Sequence, residues 1–159
     1  MDETATQIFS SHRIMAISTV RPDGWPQTTL VGYANDGPIV YFLIFRASQK
    51  FANIANDNRV SLAVGDEPPD IRLAQAVYAG ARASEITDPA ARERAWQLLK
   101  QRHTNLVGTP MPDPSAAAMM QAECEHLCVL DYTKGLGHTD ALNLPSERES
   151  NQRLEEVER

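Results

Sequence analysis

The chain has 159 residues, of which 42% are hydrophobic, so one domain can bury a core without metal or disulfide support. The formal charge of −6 and the pI near 5.2 argue against a protein that holds DNA, RNA or anionic lipid through its overall field. The first residues lack a signal-peptide pattern, and no run reaches the length of a membrane span, so a cytoplasmic protein is expected.

The first 65 residues predict four strands and one short helix. The strands are rich in apolar and β-branched residues, and Asp-Gly and proline turns separate the first three. The helix is predicted because apolar residues recur at a spacing of three and four. The predicted strands are residues 13–20, 26–34, 39–45 and 59–65, and the predicted helix is residues 48–55.

The second half of the chain predicts two more strands and two more helices. The strands are residues 73–86 and 125–132, and the helices are residues 90–102 and 116–123. A parallel sheet would need crossover helices, whereas the first three strands have only turns between them. The prediction is a mainly β (α+β) fold, a six-stranded antiparallel split β-barrel with flanking helices, since closure removes exposed sheet edges.

A barrel domain is expected over residues 1–140, followed by a charged C-terminal tail over residues 141–159. Cys124 and Cys128 are interpreted as small buried residues of a reducing compartment, and alternation along a strand predicts both on one face. Their spacing is not that of a zinc site, so no metal site is predicted.

The start of the mid-chain helix carries the main chemical signal. Ser48 and Lys50 lie where the helix begins beside the sheet. Backbone N–H groups and the helix dipole favour a bound anion there, such as phosphate. The sequence therefore predicts a phosphorylated cofactor.

The order of these motifs over residues 13–140 resembles the pyridoxamine 5′-phosphate oxidase-like flavoproteins, which form split β-barrels and bind FMN at a homodimer interface. The motifs are the turn Pro22-Asp23-Gly24, the strand start Pro26-Gln27-Thr28-Thr29, the helix start Ser48-Gln49-Lys50 and the segment Asn58-Arg59-Val60-Ser61-Leu62. The resemblance implies FMN as cofactor, a homodimer and a small-molecule substrate. The net charge and the lack of a long apolar run predict no nucleic-acid or membrane partner.

The resemblance also implies which residues bind the cofactor. The phosphate ligands are Arg46, Ser48 and Lys50, and the residues along the flavin are Thr28, Thr29, Leu30, Phe45 and Gln75. A C-terminal segment that approaches the partner's pocket in relatives supplies Tyr132, Lys134 and His138. Gln49 stands where the family usually has the first of two adjacent basic residues.

The implied function is an FMN-dependent oxidoreductase that transfers a hydride at flavin N5 to or from a small molecule. No catalytic side chain is assigned, because the cofactor carries hydride chemistry. One alternative is a reductase that uses the deazaflavin F420 on a similar barrel. Another is a non-catalytic flavin-binding or haem-binding protein, in which His12, His103 or His138 would be the axial ligand.

Overall fold

A computed structural model describes residues 1–144, which form three α-helices and seven strands. Short 3-10 turns at Ile71–Leu73, Thr104–Leu106 and Tyr132–Lys134 join some of them. In chain order the elements are α1 (Glu3–Ser11), β1 (Ile14–Val20), β2 (Pro26–Asp36), β3 (Ile39–Phe45), α2 (Gln49–Asn56), β4 (Arg59–Gly65), β5 (Gln75–Glu85), α3 (Pro89–Arg102), β6 (Ala117–Asp131) and β7 (Thr139–Asn143).

The strands form one antiparallel sheet in the order β3-β2-β1-β4-β5-β6-β7, and β3 also pairs with β6. That last pairing closes β1 to β6 into a six-stranded barrel and leaves β7 outside, on the C-terminal half of β6. The predicted six-stranded antiparallel barrel is confirmed. Alternate residues of each strand point inward, as in β3, where Val40, Phe42 and Ile44 are buried.

The helix predicted over residues 116–123 is wrong, because these residues are the first half of β6. Alanine, methionine, glutamine and glutamate favour a helix locally. Here the segment pairs with β3 on one side, from Phe45↔Ala117 to Ile39↔Glu123, and with β5 on the other. Pairing on both sides outweighs the local preference.

A β-bulge in β6 separates the two cysteines. Gly80 pairs with His126 while Ala81 pairs with Cys124, so one residue is skipped and the alternation reverses. Cys124 faces the core, where burial raises its pKa to about 12, whereas Cys128 is half-buried on the outer face with His126. The prediction that both cysteines share a face is therefore wrong.

The helix α1, which the sequence did not predict, packs Ala5, Ile8 and Phe9 into the barrel core. Arg102 of α3 holds its C-terminal end. The Arg102 guanidinium donates to the carbonyls of Phe9 (2.6 Å) and His12 (2.9 Å) and to Asn35 Oδ1 (3.0 Å), and it lies 5.6 Å from the centre of the Tyr33 ring. One cation thus joins two helices to the sheet.

A second, smaller core lies outside the barrel, where α3 packs on the outer faces of β2, β3 and β6. Ala95, Trp96 and Leu99 of α3 contact Ala34 and Met119. Asp88 caps the helix by accepting from the N–H of Ala91 at 2.7 Å. The helix predicted over residues 90–102 is confirmed.

The described part of the chain ends just after β7. This strand extends three residues past the boundary expected at residue 140. The remainder of the predicted tail, from residue 145 onward, lies outside the described residues. Within residues 1–144, no helix has the length and apolar character needed to cross a membrane.

Candidate functional site

The barrel opens along one edge of β2. This strand pairs with β1 from Pro26 to Gly32, but with β3 only from Tyr33 to Asp36. Among the described residues, the stretch 26–32 therefore has a strand neighbour on one side only. We call residues 26–32 the open edge. Its outward N–H and C=O groups are available to a ligand.

The helix α2 begins directly after β3, beside this opening. Ser48 caps it, accepting from the N–H of Phe51 (3.3 Å) while donating to the carbonyl of Phe45 (2.7 Å). The Ser48 hydroxyl is thus engaged within the cap. The first N–H groups of a helix lack intrahelical acceptors, so those of Gln49 and Lys50 can receive an anion.

Lys50 is the cation best placed to hold an anion. Its side chain is partly buried, and among residues 1–144 no carboxylate is paired with it. Burial lowers the pKa of Lys50. An ammonium group that has lost part of its water and has no counter-ion gains from a bound phosphate.

Arg46 has other partners. Its guanidinium forms a two-pronged ion pair with Glu85, donates from Nε to the carbonyl of Pro114 (2.7 Å) and lies 5.2 Å from the ring centre of Phe51. The hydrogen bond to Glu85 raises the pKa of Arg46. These contacts fasten the segment before α2 to β5. Binding of a phosphate by Arg46 stays a prediction, and it requires the guanidinium to share or break its ion pair with Glu85.

The neighbouring threonines of the open edge face opposite ways. Thr28 lies on the outer face, where its Oγ1 is 2.7 Å from Ser18 Oγ, whereas Thr29 faces inward beside Ile17. The Thr29 hydroxyl is buried and has no hydrogen-bond partner among the described residues. Buried hydroxyls are normally paired, so this one is open to a ligand atom.

Two apolar side chains flank the same opening on the outer face. Leu30 is 76% exposed and Phe45 is 68% exposed. Leucine and phenylalanine at such exposure gain from being covered. The structure therefore brings together Thr28, Thr29, Leu30, Phe45, Ser48 and Lys50 around the split between β2 and β3.

The fully buried Asn53 docks α2 against the end of the β1–β2 hairpin. Its Nδ2 donates to Thr19 Oγ1 and Gln27 Oε1, both at 3.0 Å, and its Oδ1 accepts from Gln49 at 2.9 Å. Sequence reasoning missed this residue, because a helical asparagine with no structural context reads as solvent-facing.

We expect Asn53→Ala to lower the free energy of unfolding by about 1–3 kcal/mol, because Thr19 and Gln27 lose their common donor in a buried place. Urea unfolding followed by circular dichroism measures this. Asn56→Ala, on the exposed side of the same helix, is the matched control and should change little. Equal losses in the two variants would contradict the docking role.

The remaining predicted residues form a second group, away from α2. Gln75 Nε2 donates to the buried Asp131 carboxylate (3.1 Å), which also accepts from Thr133 Oγ1 (2.6 Å). Lys134 and His138 both contact Asp140, at 2.8 and 3.1 Å. Tyr132 is partly buried and begins the 3-10 turn that follows β6.

The two groups are not adjacent within one chain. Thr28 pairs with Ser18, Ser18 with Ser61 and Ser61 with Gly80, which places these residues on one row across the sheet. Gln75 lies five residues before Gly80 in β5, roughly 16 Å from that row at the usual rise of a strand. The structure does not bring Gln75, Tyr132, Lys134 or His138 to the start of α2.

We expect the second group to make stability pH-dependent through Asp131. The hydrogen bond from the Thr133 hydroxyl, with further help from Gln75, lowers the pKa of Asp131 from 3.8. The ionised carboxylate therefore stabilises the fold above about pH 4, and this contribution is lost as the pH falls through the lowered value. Asp131→Asn should flatten the loss of stability below about pH 4, measured by urea unfolding at several pH values. Parallel pH profiles for the two proteins would contradict this role.

A groove of about 550 Å³ runs along the outer face of the sheet. Its floor is made of small side chains, with Tyr78 and His126 at larger positions. Sequence reasoning missed this feature, although small outward residues on successive strands are its signal. We call it the outer groove; its lining includes Ala16, Ser18, Thr28, Ser61, Ala63, Tyr78, Gly80, His126, Cys128 and Ala141.

The three histidines considered as haem ligands each have one ring nitrogen engaged. His12 Nδ1 is 2.8 Å from the carbonyl of Ile8, His103 Nε2 is 2.9 Å from the carbonyl of Tyr33, and His138 Nε2 contacts Asp140. Among residues 1–144, no group of three or more His, Cys, Asp or Glu side chains could hold a metal ion.

Known structures share this fold. A heme binding protein from Mycobacterium smegmatis matches with a TM-score of 0.76 and 17% identity, over 94% of this chain and 59% of that one, so the chain spans about three fifths of its length. A conserved hypothetical protein from Mycobacterium tuberculosis matches with a TM-score of 0.71 and 23% identity, over 88% and 91% of the two chains. An FAD-binding protein from Mesorhizobium loti matches with a TM-score of 0.62 and 19% identity, over 79% and 90%.

At these identities the structural matches show a common fold. No curated protein sequence matches the chain significantly. Residues 1–127 match the family described as Pyridoxamine 5'-phosphate oxidase, and this match covers most of the chain. The chain belongs to the pyridoxamine 5′-phosphate oxidase family.

Proposed function

We propose that the protein is an FMN-binding oxidoreductase that acts in the cytoplasm on a small molecule. The observation that carries the proposal is the Lys50 ammonium, partly buried and without a counter-ion among the described residues, at the start of a helix beside the open edge. An FMN-binding site needs an anion site next to unpaired polar groups, and this chain has both. Membership of the family and the FAD-binding relative support a flavin.

The residues present fit FMN. Lys50 and the first N–H groups of α2 would hold the phosphate. The N–H and C=O groups of the open edge and the unpartnered Thr29 hydroxyl would pair with the polar atoms of the ring. Leu30 and Phe45 would cover its apolar part. When bound, flavin supplies the hydride-accepting N5 atom, and the protein supplies binding and orientation.

A homodimer is part of the proposal. Gln75, Tyr132, Lys134 and His138 are too far along the sheet to reach the same cofactor from the same chain. A second copy packed against the outer groove, related by two-fold symmetry, would bring its own second group towards this opening. The exposed Tyr78 and Leu30 on that face favour an apolar contact.

Fluorescence titration of the purified chain with FMN and with F420 tests the cofactor, and mass spectrometry identifies any cofactor that copurifies. The expected result is saturable binding of FMN with a yellow protein, and sedimentation should give a dimer. Tighter binding of F420 would replace FMN by the deazaflavin. A chain that binds neither would end the flavin proposal, and a monomer with full FMN affinity would end the dimer proposal.

Haem binding is the second candidate, because the Mycobacterium smegmatis protein that shares this fold is described as heme binding. Addition of haem would then give a Soret band that shifts in one of the variants His12→Ala, His103→Ala or His138→Ala. Absence of such a band would remove this candidate. FMN is preferred, because the haem proposal leaves the Lys50 site unused.

A further inference from the structure

A second cavity, of about 250 Å³, lies between α3, the loop that follows it, and the outer faces of β2 and β3. Its walls are mostly apolar, and none of the charged side chains of residues 1–144 lines it. We call it the α3 cavity. It is lined by Gly32, Leu43, Trp96, Leu99, His103 and Leu106, together with Thr109 and Pro112.

His103 is one of three lining residues that carry polar side-chain atoms, with Trp96 and Thr109, and its orientation is fixed. The ring lies against the backbone of β2 at Gly32, where an added Cβ would be 3.1 Å from His103 Cε1. His103 Nε2 is 2.9 Å from the carbonyl oxygen of Tyr33. A carbonyl only accepts, so Nε2 carries the hydrogen and Nδ1 of the neutral ring is an acceptor.

The lining defines a class of ligand. The lining offers a charged molecule no opposite charge from residues 1–144, which favours a neutral ligand. An apolar cavity of about 150 Å³ holds benzene, so this larger one suits an aromatic molecule of one or two rings. His103 Nδ1 selects a ligand with a hydroxyl or N–H donor.

The α3 cavity lies beside the opening of the barrel. Gly32 and Leu43 line it, and each is two residues from an exposed apolar side chain on the same outer face, Leu30 and Phe45. We infer that the α3 cavity binds the substrate, a neutral one- or two-ring aromatic molecule whose hydroxyl or N–H donates to His103 Nδ1. The role of this ligand as a substrate rests on the proposed flavin function, whereas the existence of the binding site does not.

The probe is 4-nitrophenol at about pH 6.8, just below its pKa of about 7 and above the usual histidine pKa of about 6.5, so that both the phenol and an imidazole are mostly neutral. In a Trp25→Phe background Trp96 is the only indole of the full chain. Because Trp96 lines the cavity, 4-nitrophenol should quench its fluorescence saturably. Quenching that rises linearly without saturation would overturn the site.

Calorimetry on single variants of the otherwise natural chain tests the location. Leu106→Trp fills the α3 cavity and should weaken 4-nitrophenol binding at least ten-fold. Val107→Trp adds the same bulk at an exposed neighbour that does not line the cavity, and it should bind as the natural chain does. Equal affinities of the two variants would overturn the location, and circular dichroism checks that both are folded.

The donor requirement is tested with 4-nitroanisole, which has no hydroxyl hydrogen. It should bind at least ten-fold more weakly than 4-nitrophenol. His103→Phe keeps an aromatic ring of similar size but has no hydrogen-bond acceptor, and it should bind the two probes alike. Equal binding of both probes to the natural chain would overturn the role of His103.

The same proteins are titrated with FMN, which separates the two proposals. If the natural chain does not bind FMN but binds 4-nitrophenol saturably, the flavin function fails. The α3 cavity is then still a ligand-binding site, but its ligand is not a flavin-dependent substrate. If FMN binds and 4-nitrophenol does not, the inference about the α3 cavity is overturned and the flavin function stands.

Discussion

Lys50→Ala should weaken FMN binding by about 10- to 100-fold, because a charge-assisted hydrogen bond to phosphate is typically worth about 1.5–3 kcal/mol. Burial lowers the pKa of Lys50, so its charged form is lost at a lower pH than for an exposed lysine. The affinity of the natural protein for FMN should therefore fall as the pH rises through that lowered pKa. Fluorescence titration of FMN at several pH values measures both effects.

The control for this substitution is Lys100→Ala, which removes the same charge from α3 and should leave FMN affinity within about two-fold, since distant surface charges are largely screened. Lys50→Arg retains the charge and should lose less affinity than Lys50→Ala. If Lys50→Ala and Lys100→Ala bind FMN equally well, the phosphate does not lie at the start of α2, and the cofactor must be sought elsewhere on the barrel.

Arg102→Met should lower the free energy of unfolding by about 2–4 kcal/mol. The substitution keeps an apolar stem of similar length but removes the three hydrogen bonds to Phe9, His12 and Asn35. The last carbonyls of α1 then lose their partner, and the ring of Tyr33 loses its cation. Urea unfolding at neutral pH gives the change in free energy.

The matched control is Arg94→Met, at an exposed position of the same helix, where a change within about 0.5 kcal/mol is expected. Proteolysis adds a local readout, since Arg102→Met should expose α1 to cleavage before the barrel is cut. A stable Arg102→Met variant with a protected α1 would show that Phe9 and its neighbours hold the helix without this arginine.

Much of the barrel was predictable, because the first three strands follow each other through short turns and each carries a clear apolar pattern. The identity of β6 was not predictable from local sequence. Its alanines and methionines favour a helix, and only β3 and β5 on either side make it a strand. At the bulge of β6 the alternation of inward and outward side chains reverses. This reversal is set by pairing with β5, and no local sequence pattern predicts it.

The candidate site was predictable where neighbours in sequence are also neighbours in space, as at Ser48 and Lys50. It was not predictable where partners come from elsewhere. Glu85, 39 residues after Arg46, forms an ion pair with the Arg46 guanidinium, which the sequence predicted as a phosphate ligand. Nor could sequence spacing show that the open edge and Gln75 lie apart, because that separation depends on the register of β1, β4 and β5.

The closing pair of the barrel joins strands that are far apart in the chain. Ile39 of β3 pairs with Glu123 of β6, about 80 positions later, so this contact carries a large loop-closure cost and is expected to form late in folding. Until then β3 and the first half of β6, residues 117–123, each present an unpaired, apolar edge that can join another molecule. We expect the refolding yield to fall as protein concentration rises. Light scattering measured during refolding should increase before the barrel closes, because molecules associate through these edges. A yield independent of concentration would mean that closure is fast enough to hide those edges.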